Sequence, residues 1–484
     1  ENGFVFAPAE RKLRLVMRHG RYVAQPEWQY MVHLPRENYY GLEDHTDMFS
    51  PGYFEQRIKG SESAVLEAEV SWGDAVMESS VPVWPSGKPR PDMTIPDVLQ
   101  ELMNIYTVKR NSLATVIAGY PWFLDWGRDT LICLRGLMAA GKMSDARAII
   151  LNFAAFEEHG TIPNMINGTD VSNRDTVDAP LWLIVAVDDY VQRGGEAVLR
   201  EKCGGRVLID VLRSIVDNYM AGTPNGIKAD PASKLVFAPP HYTWMDTNYP
   251  MGTPREGYPV EIQALWFAAL SFMGRYFNEY NQYAAEVKQN FIRLFALESG
   301  GLSDCLHCAS GTPADKAVPD NAIRPNQLFT VTLKLVTEPD KMQGIIESCE
   351  KLLVPGAIRS LADAETTPPL PVYWHGVLLN NPSCPYQGRY AGPEDTSRKM
   401  AYHNGTAWSW PFPSYVEALM MAGGEAVKPL CRGYLNSAFT AMRSGVPGQL
   451  PEVADGDYPH RAGGCAAQAW SVSEFFRVYG ILKP

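Results

Sequence analysis

Two carboxylic acids set the chemistry this chain could perform. Asp246 closes the string Tyr242-Thr243-Trp244-Met245-Asp246, and Glu452 stands far downstream in Leu450-Pro451-Glu452. Cleaving a glycosidic bond through an oxocarbenium-like transition state calls for one carboxylic acid to protonate the leaving oxygen and a second carboxylate to act on the other face of the sugar. An acid that keeps its proton near neutral pH needs a poorly solvated site. Asp246 directly follows Trp244 and Met245, so it is read as the acid. Glu452 lies among Asp455, Asp457 and His460, a wetter setting that suits a base working through water. Glu256 and Glu261 lie a few residues beyond Asp246, and on spacing alone either could be the acid instead. A lone Asp or Glu in a loop is ordinarily a solvated side chain. The aromatic and amide residues around these two raise them above that role.

A pyranose offers hydroxyls that each donate and accept, plus an apolar ring face, so a sugar site mixes carboxylates, guanidinium groups, amides and aromatic platforms. The chain carries that mixture in clusters: Trp122, Trp126, Arg128 and Asp129; Asn164; Asp178 and Trp182; Arg255, Glu256 and Glu261; Asn326 and Gln327; Trp374 and His375; His403, Asn404 and Trp408. Each has an ordinary role to set beside the chemical one. An Arg-Asp pair can be an ion pair or a helix cap, an Asn a turn residue, and at least half of the Trp residues core packing.

The elements that must hold these clusters change character along the chain. Residues 1–90 read as strands: Leu66, Ala68, Val70 and Trp72 alternate with Glu67, Glu69 and Ser71, as Leu13, Leu15 and Met17 do with their neighbours, the period of a sheet with one buried face. Four to six such strands are expected. Pro82, Pro85, Pro89 and Pro91 with Gly87 then mark a linker. From there to residue 484 the period is helical. Leu208, Val211, Leu212, Ile215 and Tyr219 share one face, and Ala146, Ile149, Ile150 and Phe153 another. Further helices are expected near 182–193, 260–277, 283–297, 325–336, 340–353, 412–422, 425–442 and 465–481. The clusters fall in the loops between them, where function commonly sits on a rigid scaffold.

Composition narrows the partners. Hydrophobic residues at 46% and charged residues at 20% are the balance of a globular chain. The net charge of -11 disfavours nucleic acid and anionic membrane surfaces, and no apolar run approaches a membrane span. A neutral glucan or oligosaccharide would be indifferent to that charge. The eight cysteines show no framework spacing, which reads as reduced thiols in a cytoplasmic protein. Cys305-Leu-His-Cys308 lacks a second pair to complete a zinc site. Neither a metal nor a cofactor is called for. The chain begins at Glu1 rather than Met, which reads as a fragment or processed product, and the sequence does not address oligomeric state. Asn167-Gly-Thr169 and Asn404-Gly-Thr406 match the glycosylation pattern, but read as loop chemistry.

The order of the clusters resembles the C-terminal amylo-α-1,6-glucosidase domain of glycogen debranching enzymes. The matching strings are Trp126-Gly-Arg128-Asp129, Ile162-Pro-Asn164, Thr243-Trp-Met-Asp246, Arg255-Glu-Gly-Tyr-Pro-Val-Glu261, Arg324-Pro-Asn326-Gln327, His403-Asn404-Gly, and Leu450-Pro-Glu452 followed by Gly464-Cys465-Ala-Ala-Gln468-Ala-Trp470. The resemblance spans residues 96–484 and implies a mainly α fold, an (α/α)6 toroid or barrel, preceded by part of a β-sandwich domain. It implies an inverting, exo-acting hydrolase with Asp246 as general acid and Glu452 as general base. It places Arg128 and Asp129 on hydroxyls of the terminal glucose, Trp126 and Trp408 as platforms, and Gln468 among the binding residues. No stretch resembles the transferase half of the eukaryotic enzyme. Competing readings are another inverting α-glucosidase of glucoamylase or trehalase type, a glycoside phosphorylase in which phosphate replaces base and water, and a glycan-binding protein without activity.

Overall fold

The computed structural model describes residues 2–8, 11–39, 43–73, 75–76, 94–110, 113–168, 170–247, 253–443 and 445–482. The chain divides into two compact units, residues 1–83 and 84–484. The Pro-rich linker expected over residues 82–91 lies outside the described residues.

The first unit holds strands β1 (Gly3–Phe6), β2 (Arg11–Met17), β3 (Arg21–His33), β4 (His45–Glu55), β5 (Leu66–Trp72) and β6 (Ala75–Val76). They form an antiparallel sheet in the order β1-β2-β5-β6 and a separate β3–β4 pair. The β2–β5 register sets Leu13 opposite Val70 and Leu15 opposite Ala68, so the alternating apolar residues share a face, as their spacing predicts. That face is not covered as expected. Leu66 is 51% and Val70 45% exposed, because a sheet hides its apolar side only against a second layer. The β3–β4 pair keeps Trp28, Phe49 and Tyr53 exposed as well.

Twelve helices carry the packing of the second unit: α1 (Ile95–Tyr106), α2 (Gly127–Ala139), α3 (Met143–Ala155), α4 (Ala179–Gly194), α5 (Leu208–Ala221), α6 (Val260–Met273), α7 (Glu279–Phe295), α8 (Leu328–Thr332), α9 (Pro339–Glu350), α10 (Phe412–Gly423), α11 (Lys428–Asn436) and α12 (Ala469–Ile481). The even-numbered helices touch in a closed cycle, α2 with α4, α4 with α6, α6 with α8, α8 with α10, α10 with α12, and α12 again with α2. Each odd-numbered helix packs on one or two of them. Sequence explains the division. Along α2 every residue from Gly127 to Met138 is buried, as is every residue of α12 from Ala469 to Tyr479, which is the state of a helix surrounded on all sides. In α5 and α7 only one stripe is buried, Leu208, Val211, Leu212, Ile215, Val216 and Tyr219 in the first and Tyr280, Ala284, Val287, Phe291 and Phe295 in the second.

Most expected helices are present with shifted ends. The helix expected over 325–336 is a 3-10 turn, Pro325–Gln327, followed by the short α8, and Lys334 then takes a left-handed φ of 65°. The one expected over 425–442 is α11 plus a short Ala438–Ala441 piece. Arg128 and Asp129, expected in a loop, lie in the first turn of α2. No helix among the described residues is long and apolar enough to cross a membrane.

Candidate active site

Residues at or just before the starts of α2, α10 and α12 line one pocket. Trp126 precedes α2 and is tied to the chain before α4 by pairing of Asp125–Trp126 with Met165–Ile166. The Gly127 amide donates to the Asn164 carbonyl at 2.8 Å, and a Cβ at Gly127 would lie 2.4 Å from the Pro163 carbonyl, so the approach requires glycine. This anchoring is what places Arg128. Its Nε donates to Oδ2 of Asp178, the residue before α4, at 2.7 Å, and its Nη1 donates to Asp246 Oδ2 at 2.9 Å. Asp178 also accepts from Thr176.

Asp246 is presented by a segment fixed on both sides. Met245 and Trp244 are buried, and the Trp244 indole donates to Asn326 Oδ1 at 2.7 Å. Thr253 donates to the Met245 carbonyl, and Arg255 donates to the Thr243 hydroxyl. Met245 turns into the core, Trp244 backs the pocket wall, and the Asp246 side chain, 32% exposed, stands at the pocket surface.

Glu452 sits immediately before the strand pair that joins Val453–Ala454 to Ala407–Trp408 on one side and to Ala462–Gly463 on the other. Its Oε1 accepts from the Tyr402 hydroxyl, and its Oε2 accepts from the Cys465 amide at 2.7 Å. Glu452 is only 4% exposed. The solvation contrast expected from the sequence is absent: burial raises the proton affinity of both carboxyl groups, and Glu452 is the less exposed of the two. Asp455 and Asp457, which were to make the setting wet, are engaged elsewhere, with the Tyr390 amide and the Tyr386 hydroxyl.

Asp246 and Glu452 line one pocket of about 120 Å³, together with Phe123, Trp126, Arg128, Asp129, Trp244, Tyr402, His403, Trp408, Gln468 and Trp470. A closed cavity of about 150 Å³ holds benzene, so this pocket is on the scale of one small ring and not of a chain of sugars. Its electrostatics favour proton traffic. Burial pushes Glu452 up to about 7, opposed by the two hydrogen bonds it accepts and reinforced by the Asp246 charge. Burial raises Asp246 too, against the pull of Arg128. Burial lifts Asp129 to about 8, opposed by Arg128 and reinforced by Asp246 and Glu452. His403 is held well below its usual range, first by burial and then by Arg324 and Arg128, so its imidazole is neutral. Its Nδ1 lies 2.6 Å from the Thr247 hydroxyl, and its buried Nε2 has no partner. Gln468 gives its Nε2 to Asp129 at 3.4 Å and leaves Oε1 unpartnered. These vacancies are what an incoming polyol could fill.

Other residues singled out in the sequence lie behind or beside the pocket. Asp178 acts on it through Arg128. Asn164 acts through its backbone, and its Oδ1 is buried without a partner. Asn326 braces Trp244. Gln327 accepts the Leu302 amide, away from the pocket. Arg255 holds both oxygens of Glu261 at 2.6 Å and also Asp304 at 2.7 Å, so Glu261 is a buried, ion-paired carboxylate that does not line the pocket. The Glu256 carbonyl accepts from the Cys308 amide. Arg255 and Asn404 line a second cavity of about 110 Å³ with Asp304, His307, Asp320 and Arg324. Trp408 is almost wholly buried, stacked on His403 at 5.2 Å. Trp182 packs edge-on against Phe329 in the core. Sequence reasoning passed over Phe123, Tyr402 and Trp470 as site residues. Tyr402 adjoins His403 in a string already singled out, and that adjacency was the available signal.

The fold is one found among glycosidases. It is similar to a solved structure described as a wild-type glycosidase (TM-score 0.54, 15% identity, 81% of this chain and 98% of that one) and to a glycosidase variant in complex with glucose (TM-score 0.55, 15% identity, the same coverage). A Klebsiella oxytoca rhamnosidase with rhamnose bound matches with a TM-score of 0.51 at 11% identity, over 99% of this chain and 89% of that one. The chain belongs to the amylo-alpha-1,6-glucosidase family, whose model matches residues 100–477, and the glycogen debranching enzyme N-terminal model matches residues 1–65. It is 24% identical over 422 residues to the glycogen debranching enzyme of Saccharomyces cerevisiae, covering 67% of this chain. It spans only 26% of that relative's length.

Proposed function

We propose that this chain is an inverting, exo-acting glycoside hydrolase that releases glucose from α-1,6 branch points of glycogen-like glucans. The observation that carries the reading is the one-ring pocket in which Asp246 and Glu452, remote in the chain, stand together with unpartnered polar atoms around them. The helix cycle is taken as an (α/α)6 toroid, and the strand unit as part of a β-sandwich. Free thiols at all eight cysteines suit a cytoplasmic setting.

Glu452 is assigned the general base. Both its oxygens accept from fixed donors, which stabilise the carboxylate that must take a proton from water. Asp246 is assigned the general acid. Arg128 holds Oδ2, which orients the carboxyl so that Oδ1 can meet the leaving group. A sugar filling the pocket would strip water from Asp246 and raise its proton affinity further. Asp129, Asp246 and Glu452 titrate as a set, because each charge disfavours the next. Phosphorolysis fits less well. Arg128 is already shared by Asp178 and Asp246, and a phosphate would face three carboxyl groups.

The test is proton NMR of the first sugar released from a branched limit dextrin. Inversion at an α-1,6 branch gives β-glucose first. Release of α-glucose would overturn inversion, phosphate-dependent release of a sugar phosphate would overturn hydrolysis, and absence of glucose would overturn the exo-acting assignment.

A further inference from the structure

We propose that Tyr402 is the positioning residue of the base, its phenol fixing Glu452 Oε1 while the Cys465 amide fixes Oε2, so that the carboxylate is aimed at the attacking water. This rests on the reading of Glu452 as base.

The clamp has three sides. The first is the phenol, which ends a short helix, Lys399–Tyr402, and is itself fixed: the Tyr402 carbonyl accepts the Trp408 indole N–H at 2.8 Å, and its ring packs edge-on to Trp408 at 4.8 Å. Burial keeps this phenol well above its usual titration range, so it remains a donor. The second side is the Cys465 amide, which the backbone cannot withdraw because the Glu452 amide donates in turn to the Cys465 carbonyl at 2.8 Å. The third is Gly464, at φ +63°, where a Cβ would lie 2.3 Å from Glu452 Oε2. Only a residue without a side chain lets the carboxylate occupy that place. A side chain held in this way has little freedom left to lose in the transition state. Tyr402 therefore acts through Glu452, on both its direction and its proton affinity.

The experiment is the pH dependence of kcat/KM for Tyr402→Phe, beside Glu452→Gln and an enzyme carrying fluorotyrosine at position 402. Removing a donor from the charged form raises the pKa of the base. The acidic limb of Tyr402→Phe is therefore expected to move up by about one to two pH units. Its kcat at neutral pH should fall by about 10- to 100-fold while KM stays within about threefold. Fluorotyrosine, the stronger donor, should move the limb the other way, and it carries the test alone if near-UV circular dichroism shows that Tyr402→Phe does not fold. A merely structural Tyr402 would lower activity without moving either limb. That result, with Glu452→Gln inactive, overturns the role of Tyr402 alone. Glu452→Gln active to within about threefold of the parent overturns both Tyr402 and the base.

Discussion

The two cavities behind the helix starts hold much the same chemical groups and use them in opposite ways. The first contains Asp129, Asp246, Glu452 and Arg128, and the second Asp304, Asp320, Arg255, Arg324 and His307. They differ little in volume. In the second, every polar side chain has a partner: Arg255 bridges Glu261 and Asp304, His307 meets Asp320 at 2.8 Å, and Arg324 donates to Asn404 at 2.8 Å. In the first, carboxyl groups outnumber the cation, their proton affinities are raised, and His403 Nε2 and Gln468 Oε1 have nothing to bond. Buried charge is therefore not by itself a sign of catalysis. An excess of carboxyl groups with raised proton affinity around one cation is the better one.

The contrast can be broken most directly at its strongest point. Glu452→Gln should lower kcat by about 10²–10⁴-fold with little change in affinity, and a loss below about threefold in steady-state assays would remove the base from the pocket. Asp246→Asn should cost a comparable factor on glucans yet recover much of it on a glucosyl fluoride, whose leaving group needs no proton. Equal losses on both substrates would count against the acid. In the second cavity, Arg255→Met leaves Glu261 buried without its cation, while Asp304 keeps Arg324 at 3.5 Å, and should destabilise the fold by about 3–5 kcal/mol in denaturant titration. Because Arg255 also holds the Thr243 hydroxyl in the segment that presents Asp246, kcat of the folded fraction should fall together with stability, and a loss of kcat at parental stability would erase the distinction between the cavities. Gln468→Ala should lower kcat/KM by roughly tenfold, the value of one hydrogen bond to the sugar, and also lower the melting temperature, because Gln468 is buried and bonds Asp129.

The finest test uses pH. Burial raises the Glu452 pKa to about 7 from an ordinary carboxylate value, so the native state binds more protons than the unfolded chain between those two limits. Stability from this group is highest in acid and declines as pH rises toward 7, whereas activity requires the ionised base and declines as pH falls through about 7. Glu452→Gln should then melt higher than the parent at pH 8 and lose that advantage near pH 4. A melting difference independent of pH would show that Glu452 carries no titration cost.

How much could be read in advance depended on how local each signal was. Helices α5 and α7 announce themselves because one stripe is buried and the other wet. Helix α2, buried on every side, shows no stripe, and Arg128 and Asp129 read as loop, although the equally buried α12 was expected. The carboxylate pair was legible through its motifs, but the setting of each member was not. Burial raises Asp246 as its apolar neighbours suggest, but strand pairing also buries Glu452 and draws it away from its acidic neighbours.

The sequence alone determined the helical second unit, the alternating strands of the first, and the side-chain types able to handle a sugar, since periodicity and residue chemistry are local properties. Tertiary structure decided which of those side chains share a pocket. Arg255, Glu261 and Asp304 neutralise one another behind it, Asn164 and Asp178 brace its wall, and Tyr402 enters as the partner of a residue 50 positions away. Burial, partnering and proton affinity depend on what the rest of the chain brings alongside a group, and that is settled only when the helices close their cycle.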